Sequence, residues 1–376
     1  MPAKHWDDMG REVRDGVLAP WQHAGRLPTP GPATLIFVVA QRCNSHCNMC
    51  YIWENKNPPE ISVEEARRIF ARDREDFRTL RKLSLTGGEP SLRRDLADLV
   101  GAVLDSTPAV RTLRLASHGM VPDRTLAAVE GCWSVAHAHG VERFEVQISL
   151  DGVGEVHERI RGIRGGYARV RETLERLMQL QKVVAALRIS LSTVVQPLNL
   201  ENLPELRRLA ATLGLPITFS PIVMSGAYYA NQSRDLDLSV GGDARAQAFF
   251  EDLAHTSRGT DAFYYADMRG MLEGKPRGRI CMQGYHSCVL EAGGGLHACV
   301  NSETLTFGNL REQPFREIWW GEKAEALRRQ LHQEICPTCP SKCYARPVSA
   351  GEVLRISMQK LSGGSGAPSS SGSSEV

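Results

Sequence analysis

Hydrophobic positions along this chain follow two rhythms that alternate. Short apolar runs at 34–40, 82–86, 112–117, 143–150, 187–195 and 216–223 predict strands. Between them, apolar residues three and four apart over 63–75, 96–106, 167–183 and 203–213 predict amphipathic helices. Strand and helix in turn imply an α/β fold, a parallel sheet with helices outside it. Residues 1–32, with Trp6, Trp21 and several prolines, read as a helical N-terminal extension. Residues 348–376 read as a C-terminal segment whose Gly/Ser-rich end, GGSGAPSSSGSSEV, has the composition of a disordered tail.

Composition narrows the classes. A chain of 376 residues, 42% hydrophobic, is long enough for one large domain and a smaller one. Its 45 basic and 43 acidic residues leave +2, so no strong field draws it to nucleic acid or an anionic membrane. No run approaches the roughly 18 consecutive apolar residues of a membrane span. The N-terminus MPAKHWDDMGREVRDG is charged where a signal peptide is apolar, so a cytoplasmic location is expected. Nine of the ten cysteines fall into two groups, which suggests metal ligation rather than disulfides.

The first group is Cys43, Cys47 and Cys50 in CNSHCNMC, directly after the first predicted strand and followed by Tyr51. Three thiolates on one short loop can hold three corners of a cubane iron–sulfur cluster and leave the fourth iron open. A structural zinc site wants a fourth protein ligand, and only His46, inside the loop, is near in sequence. Further candidates also follow strands: Gly87-Gly88-Glu89 after the second, His118 after the third, Asp151 after the fourth. Barrel enzymes build their sites on that face. Taken alone, paired glycines mark a turn, and Ser149 and Asp151 serve to end a strand and cap a helix. The second group is Cys281, Cys288, Cys299, Cys336, Cys339 and Cys343, with Gly293-Gly294-Gly295 before Cys299 and a CxxC at 336–339. Its CxxC chemistry also suits a zinc site of four thiolates.

Together these motifs resemble the radical S-adenosylmethionine (SAM) enzymes. CxxxCxxC is followed by Leu85-Thr86-Gly87-Gly88-Glu89-Pro90, then Ser149-Leu150-Asp151-Gly152 with His157 and Arg161-Gly162, then Ser192-Thr193-Val194-Val195 and Asn199, in the family's order. The resemblance implies a partial (β/α)6 TIM-like barrel over 33–225 and a connecting segment over 226–280. It also implies a twitch (SPASM-like) auxiliary-cluster subdomain over 281–347. In the cofactors it implies, Cys43, Cys47 and Cys50 hold a [4Fe-4S] cluster that binds SAM, and Cys281, Cys299, Cys336 and Cys339 hold one auxiliary cluster, with Cys288 or Cys343 able to replace one of these. Tyr51, Gly87, Gly88, Glu89, Ser149, Asp151, Arg161 and Thr193 are implied to lie at SAM, with Glu89 facing its ammonium and Arg161 its carboxylate.

The implied chemistry is one-electron cleavage of SAM to a 5′-deoxyadenosyl radical that takes a hydrogen atom from substrate, with flavodoxin or ferredoxin as electron donor. Oxidation, epimerisation and elimination are all open as outcomes. Epimerisation needs a thiol hydrogen donor, for which Cys288 and Cys343 are candidates, while Cys132 reads as an inert core residue. His118, where many relatives have Asn, is a further active-site candidate. The short stretch before the first strand argues for a small molecule or carbohydrate, such as a sugar or aminocyclitol, rather than a peptide. The segment 224–229 with Asn231 suits the lining of a polar pocket.

Overall fold

Six strands form where the apolar runs predict them. The computed structural model describes residues 18, 21–54, 59–224, 229, 231, 236, 238, 243–301 and 305–342, with the backbone of 345–346. Strands β1 (Thr34–Ala40), β2 (Lys82–Gly87), β3 (Thr112–Ser117), β4 (Arg143–Ser149), β5 (Leu187–Val195) and β6 (Ile217–Pro221) pair in chain order, each parallel to the next. Helices α1 (Val63–Arg72), α2 (Leu96–Leu104), α3 (Pro122–Ala138), α4 (Glu155–Arg161), α5 (Gly166–Val183) and α6 (Leu203–Thr212) lie between them. Helix α1 starts at a full capping box, Ser62 with Glu65, so two of its free N–H groups are satisfied at once. The fold is the expected partial TIM-like barrel.

Alternate side chains of each strand face opposite ways. Leu35, Phe37, Leu83, Leu85, Leu113, Leu115, Val146, Ile148 and Leu191 are buried in the core with the helices. Ser84, Thr86, Arg114, Gln147, Ser149 and Ser192 face inward and line a cavity. In closed eight-stranded barrels bulky inward side chains fill the interior. Here the inward positions are small or polar, so the lumen stays open.

Helix α3 had no counterpart in the predicted pattern. Its buried side is Thr125, Leu126, Val129, Cys132 and Ala136, spaced as a helix requires but built mostly from small or weakly apolar residues. Cys132 is fully buried there, as expected of an inert core thiol, and burial pushes it up to about 12. The segment expected only to connect holds two helices, α7 (Ala244–Thr256) and α8 (Thr260–Leu272). Their aromatic residues Phe249 and Tyr265 bring a ring cluster onto Phe219 of β6 and Phe250.

The C-terminal part begins with β7 (Ile280–Cys281) and continues with β8 (Ser287–Leu290), β9 (Gly295–His297) and β10 (Thr306–Asn309). Strand β8 lies parallel to β1, from Thr34↔Ser287 to Phe37↔Leu290, so β8 to β10 extend the barrel into a nine-stranded sheet. That pairing covers an edge of β1 that would otherwise expose its ladder. Helices α9 (Phe315–Trp319) and α10 (Glu322–Gln330) follow. Arg328 is buried among Trp319, Phe307 and Tyr285, its guanidinium 4.5 Å from the Trp319 ring centre. The N-terminal stretch docks here: Trp319 Nε1 donates to the Pro30 carbonyl and Trp320 Nε1 to that of Thr29, each at 2.8 Å. Among the described residues no helix is long and apolar enough to cross a membrane. Most of 1–20, residues 225–228, Cys343 and 348–376 lie outside the described residues.

Candidate functional site

The cysteine loop starts where β1 ends and is gripped from two sides. On one side, the Gly88 N–H donates to the Ala40 carbonyl and the Glu89 N–H to that of Arg42. A Cβ on Gly88 would stand 2.2 Å from the Arg42 oxygen, and one on Gly87, at φ +133°, 2.0 Å from that of Ala40. These glycines let two backbones touch. On the other side, the loop rests on the C-terminal end of α4: the His46 N–H bonds the Arg161 carbonyl and the Asn48 N–H that of Ile160. Gly162, at φ +66°, closes that helix in a conformation natural to glycine, and a Cβ there would lie 2.4 Å from the His46 oxygen.

So held, Cys43, Cys47 and Cys50 line one cavity of about 590 Å³ together with Gly87, Gly88, Ser117, His118, Ser149 and Arg161. Their sulfurs receive donors. The Ser45 N–H approaches Cys43 Sγ at 3.4 Å, the Ser45 hydroxyl lies 3.1 Å from Cys47 Sγ, and Arg161 Nη1 is 3.7 Å from Cys47 Sγ. Burial pushes Cys43 up to about 12 and Cys50 up to about 11, with the neighbouring sulfurs adding to it, so the thiolates need a cation to form. Among the described residues no three His, Cys, Asp or Glu side chains are grouped so as to hold one metal ion. A cubane asks for something different, since each thiolate binds its own iron. Three sulfurs on one wall of the cavity, two of them met by donors, fit such a cluster.

Several residues expected at SAM lie in the wall of the cavity. Glu89 is fully buried and does not line the cavity: its carboxylate accepts from the Ser91 N–H at 3.0 Å, the Ser117 hydroxyl at 2.8 Å and the His118 N–H at 2.8 Å. With both oxygens used, it ties β2 to β3. Asp151 is also fully buried, accepting from the Val194 N–H and, at 2.5 Å, from Arg161 Nε. Burial works against charge on Arg161, but Asp151 and Cys47 outweigh it and raise its pKa. Thr193 points out of the barrel and donates to the Leu150 carbonyl at 2.7 Å, while its neighbour Ser192 faces the lumen. A one-residue change of parity separates them.

His118 does line the cavity, with both ring nitrogens engaged. Nδ1 accepts from the Met120 N–H at 2.9 Å, so Nε2 carries the hydrogen that meets Asn44 Oδ1 at 2.8 Å. Burial first, and Arg161 after it, keep this ring below its ordinary value. It acts as a strut between β3 and the cysteine loop. The Tyr51 N–H donates to the Tyr229 carbonyl, and the Tyr51 ring leans on Trp53. Asn231 holds the Met49 and Val223 carbonyls instead of facing the cavity.

At the second group, Cys281 and Cys336 share a hydrogen bond that lowers the first and raises the second. The Asn301 N–H meets Cys299 Sγ at 3.2 Å and its side-chain amide meets Cys339 Sγ at 3.4 Å. These four cysteines therefore adjoin one another, the set expected for the auxiliary cluster. Cys288 does not belong with them. It is fully buried in register with Leu35, packs into the core among the outward-facing residues of β1, and burial drives its thiol well above the usual range. As a hydrogen donor to the lumen it is on the wrong face of the sheet. The lumen residues that sequence reasoning passed over are Arg114, Gln147, Ser192 and Thr218, marked mainly by strand parity, and Lys342, from the segment after the CxxC.

Comparison with known proteins agrees with this geometry. The Radical SAM superfamily model matches residues 37–210, and the SPASM model, an iron–sulfur cluster-binding domain, matches 281–344. An AdoMet-dependent heme synthase from Methanosarcina barkeri is 26% identical over 84% of this chain and 93% of its own length. A PqqA peptide cyclase from Ruegeria pomeroyi is 27% identical over 84% and 82%. The solved structure of native anSMEcpe with bound AdoMet shares the fold, with TM-score 0.60 at 14% identity over 88% of this chain and 97% of that one. With its three-cysteine loop on a partial barrel and its second cysteine set beyond, this chain belongs to the radical SAM enzymes and carries a SPASM-type auxiliary iron–sulfur domain.

Proposed function

We propose that this enzyme oxidises a compact, polar small molecule, of the sugar or aminocyclitol type, held inside the barrel. The observation that carries the reading is the lumen itself. Below the cysteine loop it is lined by the hydroxyls of Ser84, Thr86, Ser149, Ser192, Thr218 and Ser220, within about 590 Å³. Hydroxyl and amide groups placed in such a pocket orient a hydroxyl-bearing ligand.

Cys43, Cys47 and Cys50 would hold the catalytic cluster, and Gly87, Gly88, Ser149 and Arg161 border the space beside it. The chemistry supplied by the bound cluster and SAM is homolytic cleavage of the sulfonium and removal of one hydrogen atom from the substrate. The protein's share is to orient the target C–H bond, keep water out and fix the fate of what is left. Among the described residues the cysteines lining the lumen are Cys43, Cys47 and Cys50, all committed to the cluster, while Cys343, the other candidate hydrogen donor, lies outside the described residues. The adjoining cavity, lined by Cys339 and Asn301, shares Pro221, Ile222 and Val223 with the lumen. That contiguity favours oxidation, for which Cys281, Cys299, Cys336 and Cys339 would hold a cluster able to accept an electron from the substrate radical as it loses a proton.

A peptide substrate is the second reading, favoured by the similarity to a PqqA peptide cyclase over most of the chain. The deciding experiment uses anaerobically reconstituted protein, SAM, dithionite and deuterated candidates. Deuterium passing from a sugar or aminocyclitol into 5′-deoxyadenosine, with a two-electron oxidised product, is the expected outcome. Transfer only from a peptide would replace the first reading with the second. If reduced holoenzyme yields no 5′-deoxyadenosine with any candidate, both are wrong.

A further inference from the structure

The lumen is polar, and it is also charged in one sense. No Asp or Glu side chain lines it among the described residues, yet Arg114, Arg161 and Lys342 do. Arg161 is neutralised by Asp151, 2.5 Å away, and Lys342 by Asp261 at 3.0 Å. Arg114 is different. It stands on an inward position of β3, in register with Ser84 of β2 and Glu145 of β4. Among the described residues its side-chain acceptor is neutral, Gln147 Oε1 at 2.5 Å. The carboxylate in its row, Glu145, is already claimed by Lys82 at 2.6 Å and Arg143 at 2.9 Å. Lys82, Arg114 and Arg143 therefore share a single carboxylate beneath the cavity, and the guanidinium that reaches the cavity is the one without an ion pair.

A guanidinium half-removed from water that has only a share of one carboxylate, with no direct ion pair, is costly unless something anionic completes it. Its planar fork matches a carboxylate or phosphate in two parallel hydrogen bonds. Gln147 fixes the plane of the fork and leaves its remaining donors for a ligand. We propose that Arg114, oriented by Gln147, anchors an anionic group of the substrate, a carboxylate or a phosphate, at the floor of the lumen. This rests on the reading of the lumen as the substrate chamber and deepens it to an acidic small molecule. Between Arg114 and His118, which touches the cysteine loop through Asn44, the strand advances four residues, about 13 Å. The acid group is thus anchored several bonds from the carbon that loses hydrogen, which sets the substrate's depth and leaves the reacting end under the cysteines.

The test uses reconstituted holoenzyme saturated with SAM, so that the amino-acid site is filled. Calorimetry at low salt compares succinate and inorganic phosphate with the neutral isostere succinamide. At least one anion is expected to bind about tenfold or more tightly than succinamide, and which one does so separates carboxylate from phosphate recognition. Arg114→Gln should abolish that preference, and Arg114→Lys, which keeps the charge without the fork, should recover part of it. Equal binding of anions and succinamide by the unmodified enzyme overturns the proposal without any variant. So does an undiminished preference in R114Q, or an R114K as weak as R114Q. SAM cleavage by the unmodified holoenzyme is assayed in parallel: its absence would count against the proposed function, whereas binding results bear on the anchor alone.

Discussion

Thr193 and Ser192 show how fine the division of labour is at the level of single residues. Both belong to one motif, yet the first supports the wall and the second faces the lumen. Thr193→Val leaves the Leu150 carbonyl without its donor in a buried place and should cost about 2 kcal/mol in denaturant unfolding. Ser192→Ala should leave stability within about 0.5 kcal/mol of the parent and change ligand affinity instead. Equal stability losses would contradict the assigned parity. His157 offers a test by pH. It is fully buried, its Nδ1 accepts from the Asp151 N–H, and burial first, with Arg161 second, brings it down to about 4. The folded protein therefore binds this proton less readily than the unfolded chain, whose histidine titrates near 6.5. Its contribution to stability is complete above pH 6.5 and is lost as pH falls through the window down to about 4. Replacing His157 by Gln should flatten the unfolding profile across that window. A profile as steep as the parent's would assign the acid sensitivity elsewhere.

At the scale of elements, the cysteine loop depends on two close approaches that only glycine permits. Gly88→Ala would force a Cβ to 2.2 Å from the Arg42 oxygen and 3.1 Å from the Cys43 Cβ, moving the first ligand of the set. Anaerobic reconstitution of that variant should give clearly less iron per chain than the parent, with the deficit in the catalytic cluster's electron paramagnetic resonance signal. Full incorporation would mean that the loop tolerates the shift. Much of this element level is legible from residues alone. The glycine pair, the cysteine spacing and the apolar runs each bear on their own surroundings. Helix α3 was not legible, because Thr125, Cys132 and Ala136 do not stand out as apolar although the fold buries them completely.

For the whole molecule, the joining of β8 to β1 is the organising contact. It makes the auxiliary domain part of the barrel sheet and turns Cys288 into a core residue. Cys288→Ala should keep the parent's full iron content and lose about 1 kcal/mol of stability. Alanine at Cys281, Cys299, Cys336 or Cys339 should lower iron content in each case. A Cys288→Ala protein that loses an auxiliary cluster would reverse the ligand assignment.

The sequence by itself determined the chemistry and the class of fold. Three cysteines in eight residues are local, and local spacing survives any packing. So does the alternation of strand and helix, which follows from where apolar residues recur. Only the tertiary structure decided which members of each motif line the cavity. Glu89, Asp151 and Thr193 were turned into the wall because neighbouring strands offered them buried donors and acceptors. Arg114 was brought into the lumen by strand parity, and left with only a share of Glu145 by the direct pairing of that carboxylate with Lys82 and Arg143. Those outcomes depend on contacts between strands far apart in the chain, and a burial or charge balance of that kind exists only once the strands are side by side.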